Sequence, residues 1–343
     1  MAWTTLHATV QQTLQQRHLL SKGQAFVLGF SGGQDSLCLL QILRDLQPRW
    51  GWRLAIAHCN HLWPPDSTAN AEYVADLAQR WGLAFYPFTA PQPLQGEAEG
   101  RDWRYQILTT LAQEQGFSAV LTAHTASDRA ETLLLNLLRG SGMDGLQALV
   151  WQRSLSAQVQ LIRPLLAVTR QQTGAFCEQL ALPVWQDSMN DDLVYRRNQV
   201  RLNLLPLLRQ QFNPQIDGAL ARTAEILQAE TAYLDQQASE LLQRAECPDL
   251  AMPDLPISDL AIICPRAVLD QRILQQSVLA IQRRALRQWL AQHLNIQPNF
   301  EQIEKTVALI HGFNGDRTDP FKAMIVAEVR RPWLYLRNLA SQG

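Results

Sequence analysis

Three apolar runs along the chain are each followed by a stretch in which apolar residues recur at helical spacing. An apolar run bounded by turn residues is typical of a buried strand, and the spacing after it is typical of an amphipathic helix. Strands that alternate with helices predict an α/β fold with a doubly wound parallel sheet. The runs are residues 24–30, 52–60 and 118–125, and the helical stretches begin near Ser36, Ser67 and Ser127.

The pattern changes after about residue 210. A long helical stretch covers residues 219–246, a proline-rich connection covers 247–265, and another helical stretch covers 277–294. We therefore predict a catalytic α/β domain over residues 1–212 and a mainly helical domain over residues 213–343.

Polar residues stand at the end of each predicted strand, in segments 31–36, 58–61 and 124–128. In open parallel sheets, ligands bind beyond the carboxyl ends of the strands. The order of elements therefore predicts that these three segments together form one binding site.

The first segment reads SGGQDS and is called the phosphate loop below. Gly32 and Gly33 let the backbone turn sharply and approach a ligand without a Cβ in the way. The following helix presents free N–H groups and its positive dipole end to an anion, and Ser31 and Ser36 add hydroxyl donors. The alternative is a tight turn in which Ser31 or Ser36 only caps the helix. Neither a G-x-x-x-x-G-K-[ST] nor a G-x-G-x-x-G pattern is present.

Asp35 is an unusual neighbour for phosphates unless a divalent cation lies between them. Hard cations commonly join carboxylates to nucleotide phosphates. We therefore predict that Asp35 holds Mg²⁺.

Composition and charge narrow the class of protein. The chain has 343 residues, 47% of them hydrophobic, which is long enough for a well-buried core. No segment approaches the roughly 18 apolar residues of a membrane span, and we expect a soluble, cytoplasmic protein without membrane contact. Five scattered cysteines without a C-x-x-C pair argue against a disulfide framework.

The net charge of −1 gives no global signal for nucleic acid, although 27 of the 30 basic residues are arginines. Arg283, Arg284 and Arg287 lie on one side of a C-terminal helix. They form either a solvated face or a contact with an RNA backbone, and both interpretations stay open.

SGGQDS resembles the signature of the PP-loop, or N-type ATP pyrophosphatase, superfamily. Together with the H-x-x-x-D-x-x-E-T string from His124 and the R-N-x-x-R-x-x-L-L-P string from Arg197, it resembles the tRNA(Ile)-lysidine synthetase family over most of residues 20–210. The resemblance implies an adenine nucleotide alpha hydrolase-like fold. It also implies that ATP is bound by the phosphate loop, including Gln34, and by His58 and His124.

The reaction that this resemblance implies has two steps. ATP adenylates the 2-carbonyl oxygen of the wobble cytidine in an isoleucine tRNA with a CAU anticodon, and the ε-amine of free lysine then displaces AMP. Adenylation suits the substrate, because the carbonyl oxygen of cytosine is a poor leaving group until it becomes part of AMP. The oligomeric state is left open, with a homodimer as one alternative.

Asp128 and Glu131 follow His124 at positions i+4 and i+7. We expect a helix that begins near Asp128, with the histidine at the end of the strand. The acidic pair is predicted to be catalytic, by binding the lysine ammonium group or by helping to take its proton. The alternative is a structural D-x-x-E capping box.

Arg197 and Arg201 are one helical turn apart, with Asn198 between them. They are predicted to clamp a phosphate or the adenylated intermediate, with Arg197 counted among the catalytic residues. The alternative is a solvated helix face paired with Asp191 and Asp192.

Arg101 and Arg104 are further candidates for binding the tRNA. Next to them, Tyr105 offers an aromatic ring that could stack on a base.

The residues that depart from the family pattern are Leu62, Trp63, Ser127, Arg129 and Met189.

Two other functions compete with lysidine formation. A thiolating PP-loop enzyme would need a persulfide cysteine or an iron–sulfur cluster, and a nucleotide-responsive RNA-binding module would bind ATP without turnover.

Overall fold

The computed structural model describes residues 3–63, 66–186, 196–246, 267–322 and 324–342. The chain divides into two compact units, residues 1–228 and 229–343. The division lies within one long helix, and the predicted domain boundary after residue 212 stays a prediction.

The first unit is built on a six-stranded sheet in the order β3-β2-β1-β4-β6-β5. Neighbouring strands are parallel except β5 and β6, which are antiparallel. The strands are β1 (Ala25–Gly29), β2 (Arg53–Asn60), β3 (Ala84–Thr89), β4 (Ala119–Leu121), β5 (Gln152–Ser154) and β6 (Gln160–Ile162).

Helices connect these strands and continue beyond them. They are α1 (Thr5–Gln16), α2 (Gln34–Trp50), α3 (Ser67–Arg80), α4 (Gly96–Gln115), α5 (Ala126–Leu138), α6 (Met143–Leu146), α7 (Arg170–Gln179), α8 (Arg196–Gln199), a π-helical segment (Val200–Leu204), α9 (Leu205–Gln211) and α10 (Ile216–Ala245).

Alternate residues of β1 enter different apolar cores, as the two-residue period of a strand requires. Phe26 and Leu28 pack in a core with residues of α1, α2, α3 and α7. Val27 packs with Leu108 and Leu111 of α4 in another core. The sheet is therefore covered on both faces, and the predicted doubly wound α/β fold is confirmed.

The three predicted strand–helix units are β1–α2, β2–α3 and β4–α5. The pair β3 and α4 was not predicted, because Pro87 interrupts the apolar run of β3, and a proline within such a run argues against a strand.

The second unit combines helices with a small antiparallel sheet in the order β7-β9-β8. The helices around Trp289, which is fully buried, were expected, but the strands were not. Its elements after α10 are β7 (Val268–Asp270), α11 (Gln271–Gln275), α12 (Leu279–Leu294), α13 (Phe300–Ala308), β8 (Ile325–Arg330) and β9 (Trp333–Asn338).

Within the described ranges, no helix has the length and apolar character needed to cross a membrane.

Candidate active site

The phosphate loop lies where the strand order of the sheet reverses. β1 has β2 on one side and β4 on the other, so their connections diverge and leave a crevice beyond the carboxyl ends of the strands. A cavity of about 450 Å³ lies there, which is within the range of small-molecule sites. The predicted residues that line it are Ser31, Gly33, Gln34, Asp35, Ser36, His58, Arg101, Arg104, His124, Asp128, Arg197, Asn198 and Arg201.

The two glycines of the phosphate loop have different tasks. Gly32 has a φ of +79°, and a Cβ there would lie 3.1 Å from the Tyr73 ring, so this glycine permits the turn. Gly33 is the N-cap of α2, where no side chain caps the helix. The first turn of α2 therefore leaves N–H groups and the positive dipole end for an anion. The alternative in which Ser31 or Ser36 caps this helix is wrong.

The two serines form hydrogen bonds within the phosphate loop. The Ser36 hydroxyl donates to the Gly33 carbonyl at 2.9 Å, and the Ser31 and Ser36 hydroxyls are 3.2 Å apart. These bonds hold the turn in the shape that leaves the helix N-terminus open.

Asp35 is enclosed but reaches the cavity, and its side chain is 16% exposed. The Thr173 hydroxyl donates to Asp35 Oδ1, and Arg170 Nη1 lies 3.7 Å from Asp35 Oδ2. Burial raises the pKa of Asp35, and the positive charge of Arg170 opposes that rise. A buried carboxylate held this loosely by cations suits Mg²⁺, which proteins often bind through one or two carboxylates together with phosphate oxygens.

No group of three His, Cys, Asp or Glu side chains that could hold a metal ion occurs in the part of the chain that the structure describes.

Three histidines near the cavity are held in their neutral form by burial. His58 Nδ1 donates to the Phe30 carbonyl at 3.0 Å, and burial lowers the pKa of His58. Burial also lowers the pKa of His124 to about 3 and that of His61 to about 4. These rings offer hydrogen bonds to a ligand near neutral pH rather than charge.

Asp128, Glu131, Arg197 and Arg201 form one ion-pair group, called the acid–arginine cluster below. Arg197 Nε donates to Glu131 Oε2 at 3.0 Å and its Nη2 donates to Asp128 Oδ1 at 2.9 Å. Arg201 Nε donates to Glu131 Oε1 at 2.7 Å. The carboxylates are three residues apart on α5 and the arginines are four apart on the facing helical segment, so each pair shares a face.

The four charges of the cluster stabilise one another. Burial by itself would raise the pKa of Asp128, but the positive charges of Arg197 and Arg201 hold it well below its ordinary range. The two carboxylates outweigh burial and raise the pKa of Arg197. Asp128 is therefore a weak proton acceptor near neutral pH and a strong acceptor of hydrogen bonds from cations.

The capping alternative is wrong for Glu131, whereas Asp128 does take part in the cap of α5. Thr125 is the N-cap of α5, and its hydroxyl accepts from the Asp128 N–H at 3.3 Å. Asp128 Oδ2 accepts from the Thr125 N–H at 2.8 Å. The capping box thus joins Thr125 to Asp128, and Glu131 has no part in it.

The alternative in which Arg197 and Arg201 lie on a solvated helix face is also wrong. Their side chains are only 29% and 17% exposed, and both face α5. Asp191 and Asp192, the predicted partners in that alternative, lie outside the described residues.

α4 contributes two cations of different character. Arg101 is exposed, and its Nε lies 3.4 Å from Asp102 Oδ1. Arg104 is half-buried. Tyr105 is buried, so the expectation that its ring could stack on a base is wrong.

Two departures from the family pattern shape the end of β2. Leu62 adopts a left-handed backbone conformation with a φ of +58°, which costs a side chain with a Cβ about 1 kcal/mol or more. Trp63 lines the cavity and its ring centroid lies 4.7 Å from that of His61. The Trp63 and His61 rings therefore form an aromatic part of the cavity wall.

The departures on α5 have structural partners. The Ser127 hydroxyl accepts from the Arg170 N–H at 3.2 Å. Arg129 is fully buried and donates to Glu225 of α10 at 2.6 Å. Met189 lies outside the described residues.

Sequence reasoning missed several residues of the cavity wall. Arg170 and Trp185 line the cavity, and the Trp185 N–H donates to the Gly32 carbonyl at 3.0 Å. Both lie more than 130 residues from the phosphate loop and in no recognisable motif, so only the fold brings them to it.

Comparison with known proteins agrees with this architecture. A model of the PP-loop domain matches residues 4–208. The chain is 49% identical to the tRNA(Ile)-lysidine synthase of Nostoc sp. PCC 7120 over 98% of both chains. It is 44% identical to that of Synechocystis sp. PCC 6803, over 97% of this chain and 98% of that protein. The chain belongs to the tRNA(Ile)-lysidine synthase family. The predicted family is confirmed.

Among solved structures, the U34-tRNA thiolase NcsA from Methanococcus maripaludis, with its [4Fe-4S] cluster, is similar in fold. The TM-score is 0.55 at 15% identity, covering 65% of this chain and 78% of that one. This likeness shows a shared PP-loop fold.

Proposed function

We propose that this enzyme joins free lysine to C2 of the wobble cytidine of an isoleucine tRNA with a CAU anticodon, using ATP. The observation that carries the proposal is the match to lysidine synthases over nearly the whole chain, at 49% identity. The cavity supports it, because one crevice holds an anion-binding helix terminus together with a cluster of carboxylates and arginines.

In the first step, the cytidine O2 attacks the α-phosphate of ATP, and pyrophosphate leaves. The N–H groups at the start of α2 bind phosphate oxygens, and the hydroxyls of Ser31 and Ser36 exchange their bonds within the loop for phosphate oxygens when ATP binds. Asp35 would hold Mg²⁺, which supplies positive charge against the departing phosphates. His58 and His124, both neutral, offer hydrogen bonds to the nucleotide.

In the second step, the lysine ε-amine attacks C2, and AMP leaves with the former carbonyl oxygen. Arg197 and Arg201 bind the phosphate of the adenylated cytidine, and Asp128 and Glu131 hold the two guanidinium groups in place. The low pKa of Asp128 favours this electrostatic role over proton transfer near neutral pH.

The remaining cations are assigned to the RNA. Arg101, Arg104 and Asn198 line the cavity, and we propose that they contact the anticodon loop. The second unit contacts the tRNA backbone, and the reaction takes place in the cytoplasm.

Sulfur transfer is the competing chemistry within the same fold. Cys59 lines the cavity, but burial raises the pKa of its thiol to about 12. A protonated thiol is a poor nucleophile, so Cys59 is poorly suited to carry a persulfide.

The proposal is tested by incubating the purified protein with ATP, Mg²⁺, radiolabelled lysine and an unmodified isoleucine tRNA with a CAU anticodon. We expect lysine incorporation and release of one pyrophosphate per lysidine formed. A transcript with uridine at the wobble position is the matched control. Pyrophosphate release without lysine incorporation, or equal incorporation into the control transcript, would contradict the proposal.

A further inference from the structure

The phosphate loop carries no cation of its own, since no lysine or arginine occurs between residues 31 and 36. Two phosphates that leave together carry several negative charges, and a pocket that stabilises them needs positive charge nearby. The arginine whose side chain approaches Asp35 comes from a distant part of the chain, the first turn of α7. This residue is Arg170, which lines the same cavity.

Arg170 has a fixed backbone and a loosely held side chain. Its N–H donates to the Ser127 hydroxyl at 3.2 Å, and its carbonyl accepts from Gln34 Nε2 at 2.7 Å. The side chain is 37% exposed, and its ion pair with Asp35 is long, at 3.7 Å. An arginine held in this way can turn its planar fork toward two phosphate oxygens without breaking a strong contact.

Thr173 lies one turn further along α7 and ties it to the loop. Gln34 Nε2 donates to the Thr173 hydroxyl at 2.8 Å, and that hydroxyl donates to Asp35 Oδ1. Thr173 is completely buried, so its side chain cannot touch a ligand directly. Its contacts fix the direction of the Asp35 carboxylate.

We propose that Arg170 binds the β- and γ-phosphates of ATP and the pyrophosphate that leaves, and that Thr173 is a positioning residue for Asp35. The proposal rests on the proposed function for the identity of the nucleotide. As the bond from cytidine O2 to the α-phosphorus forms, the bond from that phosphorus to the bridging oxygen breaks. The electron pair stays on pyrophosphate, and the Arg170 guanidinium stabilises the negative charge that develops there.

Nucleotide binding tests the Arg170 assignment without tRNA or lysine. Calorimetry would give the affinities of Arg170→Gln for ATP, pyrophosphate and AMP in the presence of Mg²⁺. We expect ATP and pyrophosphate to bind about 10-fold more weakly or worse, because a charge-assisted contact is lost, and AMP to bind within about 2-fold of the parent. Equal weakening of ATP and AMP, or unchanged affinity for ATP, would overturn the assignment.

Two further variants complete the test of Arg170. Arg170→Lys keeps the charge without the fork, and we expect it to recover part of the affinity. Arg80→Gln is the matched control, because it removes an arginine from the exposed end of α3, where the side chain pairs only with Asp76 in the described structure. Weakening of ATP binding in this control equal to that in Arg170→Gln would also overturn the assignment.

Thr173 is tested through the dependence of ATP affinity on Mg²⁺. Thr173→Val keeps the shape and removes the hydroxyl, so Mg²⁺ should strengthen ATP binding less than in the parent, while the affinity without Mg²⁺ stays the same. Thr173→Ser should restore the parent behaviour. Parent-like dependence in Thr173→Val would refute the positioning role. Because these measurements need no lysidine formation, a failed ligation assay leaves their outcome unaffected.

Discussion

Replacing Glu131 by glutamine tests whether the acid–arginine cluster stabilises the fold as well as forming part of the site. The Glu131 side chain is 2% exposed and accepts bonds from Arg197 Nε at 3.0 Å, Arg201 Nε at 2.7 Å and Arg201 Nη2 at 3.0 Å. Glutamine keeps the shape but turns one of the two acceptor oxygens into an NH₂ group. That group would face guanidinium N–H donors, and Asp128 would be the one remaining carboxylate within the cluster.

The structure sets the expected size of the effect. Breaking a buried ion pair from one side costs about 3–5 kcal/mol. The two arginines are 29% and 17% exposed, so water offsets part of the cost, and we expect a loss of about 3 kcal/mol. In a unit of this size, such a loss lowers the melting temperature by roughly 6–12 °C.

Thermal unfolding of the full chain, followed by circular dichroism at pH 7.5, measures this loss. Glu178→Gln is the matched control, because it removes the same charge from an exposed position on α7, where a change within about 0.5 kcal/mol is typical. The double variant Glu131→Gln with Arg201→Gln removes the stranded cation as well, and it should be more stable than the sum of the single changes predicts. ATP affinity should stay near that of the parent, because a different strand end forms the phosphate loop.

Two results would contradict the stabilising role of Glu131 in the acid–arginine cluster. A melting temperature for Glu131→Gln equal to that of Glu178→Gln would show that the cluster contributes little to stability. Additive losses in the double variant would show that Glu131 and Arg201 do not act on each other.

Two further predictions concern the phosphate loop. Asp35→Asn should abolish Mg²⁺-dependent pyrophosphate release without lowering the melting temperature. Burial raises the pKa of Asp35, so the charge of this carboxylate is unfavourable to folding above that pKa. Normal turnover, or a clear loss of stability, would contradict this prediction. Gly32→Ala should cost about 2 kcal/mol, because φ there is +79° and the new Cβ would meet the Tyr73 ring. Gly33→Ala, which would meet only the Ser31 hydroxyl at 3.5 Å, should cost about 1 kcal/mol or less but weaken ATP binding, and equal melting temperatures for the two variants would refute this contrast.

The fold class of the first unit and the location of the site could be predicted from the sequence. Apolar runs followed by helical spacing identified β1, β2 and β4 with the helices after them, because strand and helix periodicities are local properties of the chain. Parallel strands bring their carboxyl ends to one edge, so the position of the cavity followed from the order of elements. The spacing of Asp128 with Glu131, and of Arg197 with Arg201, also predicted which side chains share a face.

Which partners those side chains contact depends on the tertiary structure. Nothing local to residues 128–131 shows that two arginines some 70 positions later face the same carboxylates, so the acidic pair could equally have been a helix cap. The strand β3 was missed because Pro87 interrupts its apolar run, and only the completed sheet places this segment at an edge, where a proline is tolerated.

The link between the phosphate loop and α7 is a clear example of a contact that local sequence patterns do not encode. Gln34 donates a hydrogen bond to the Arg170 carbonyl, and Asp35 accepts one from Thr173, across 136 and 138 residues. No sequence pattern near either pair of residues predicts the other pair. The periodicity of apolar residues and the residue types that form turns are encoded over a few neighbouring positions. Contacts between distant segments depend instead on how helices pack against the completed sheet, and the chain sets that packing only when it has folded.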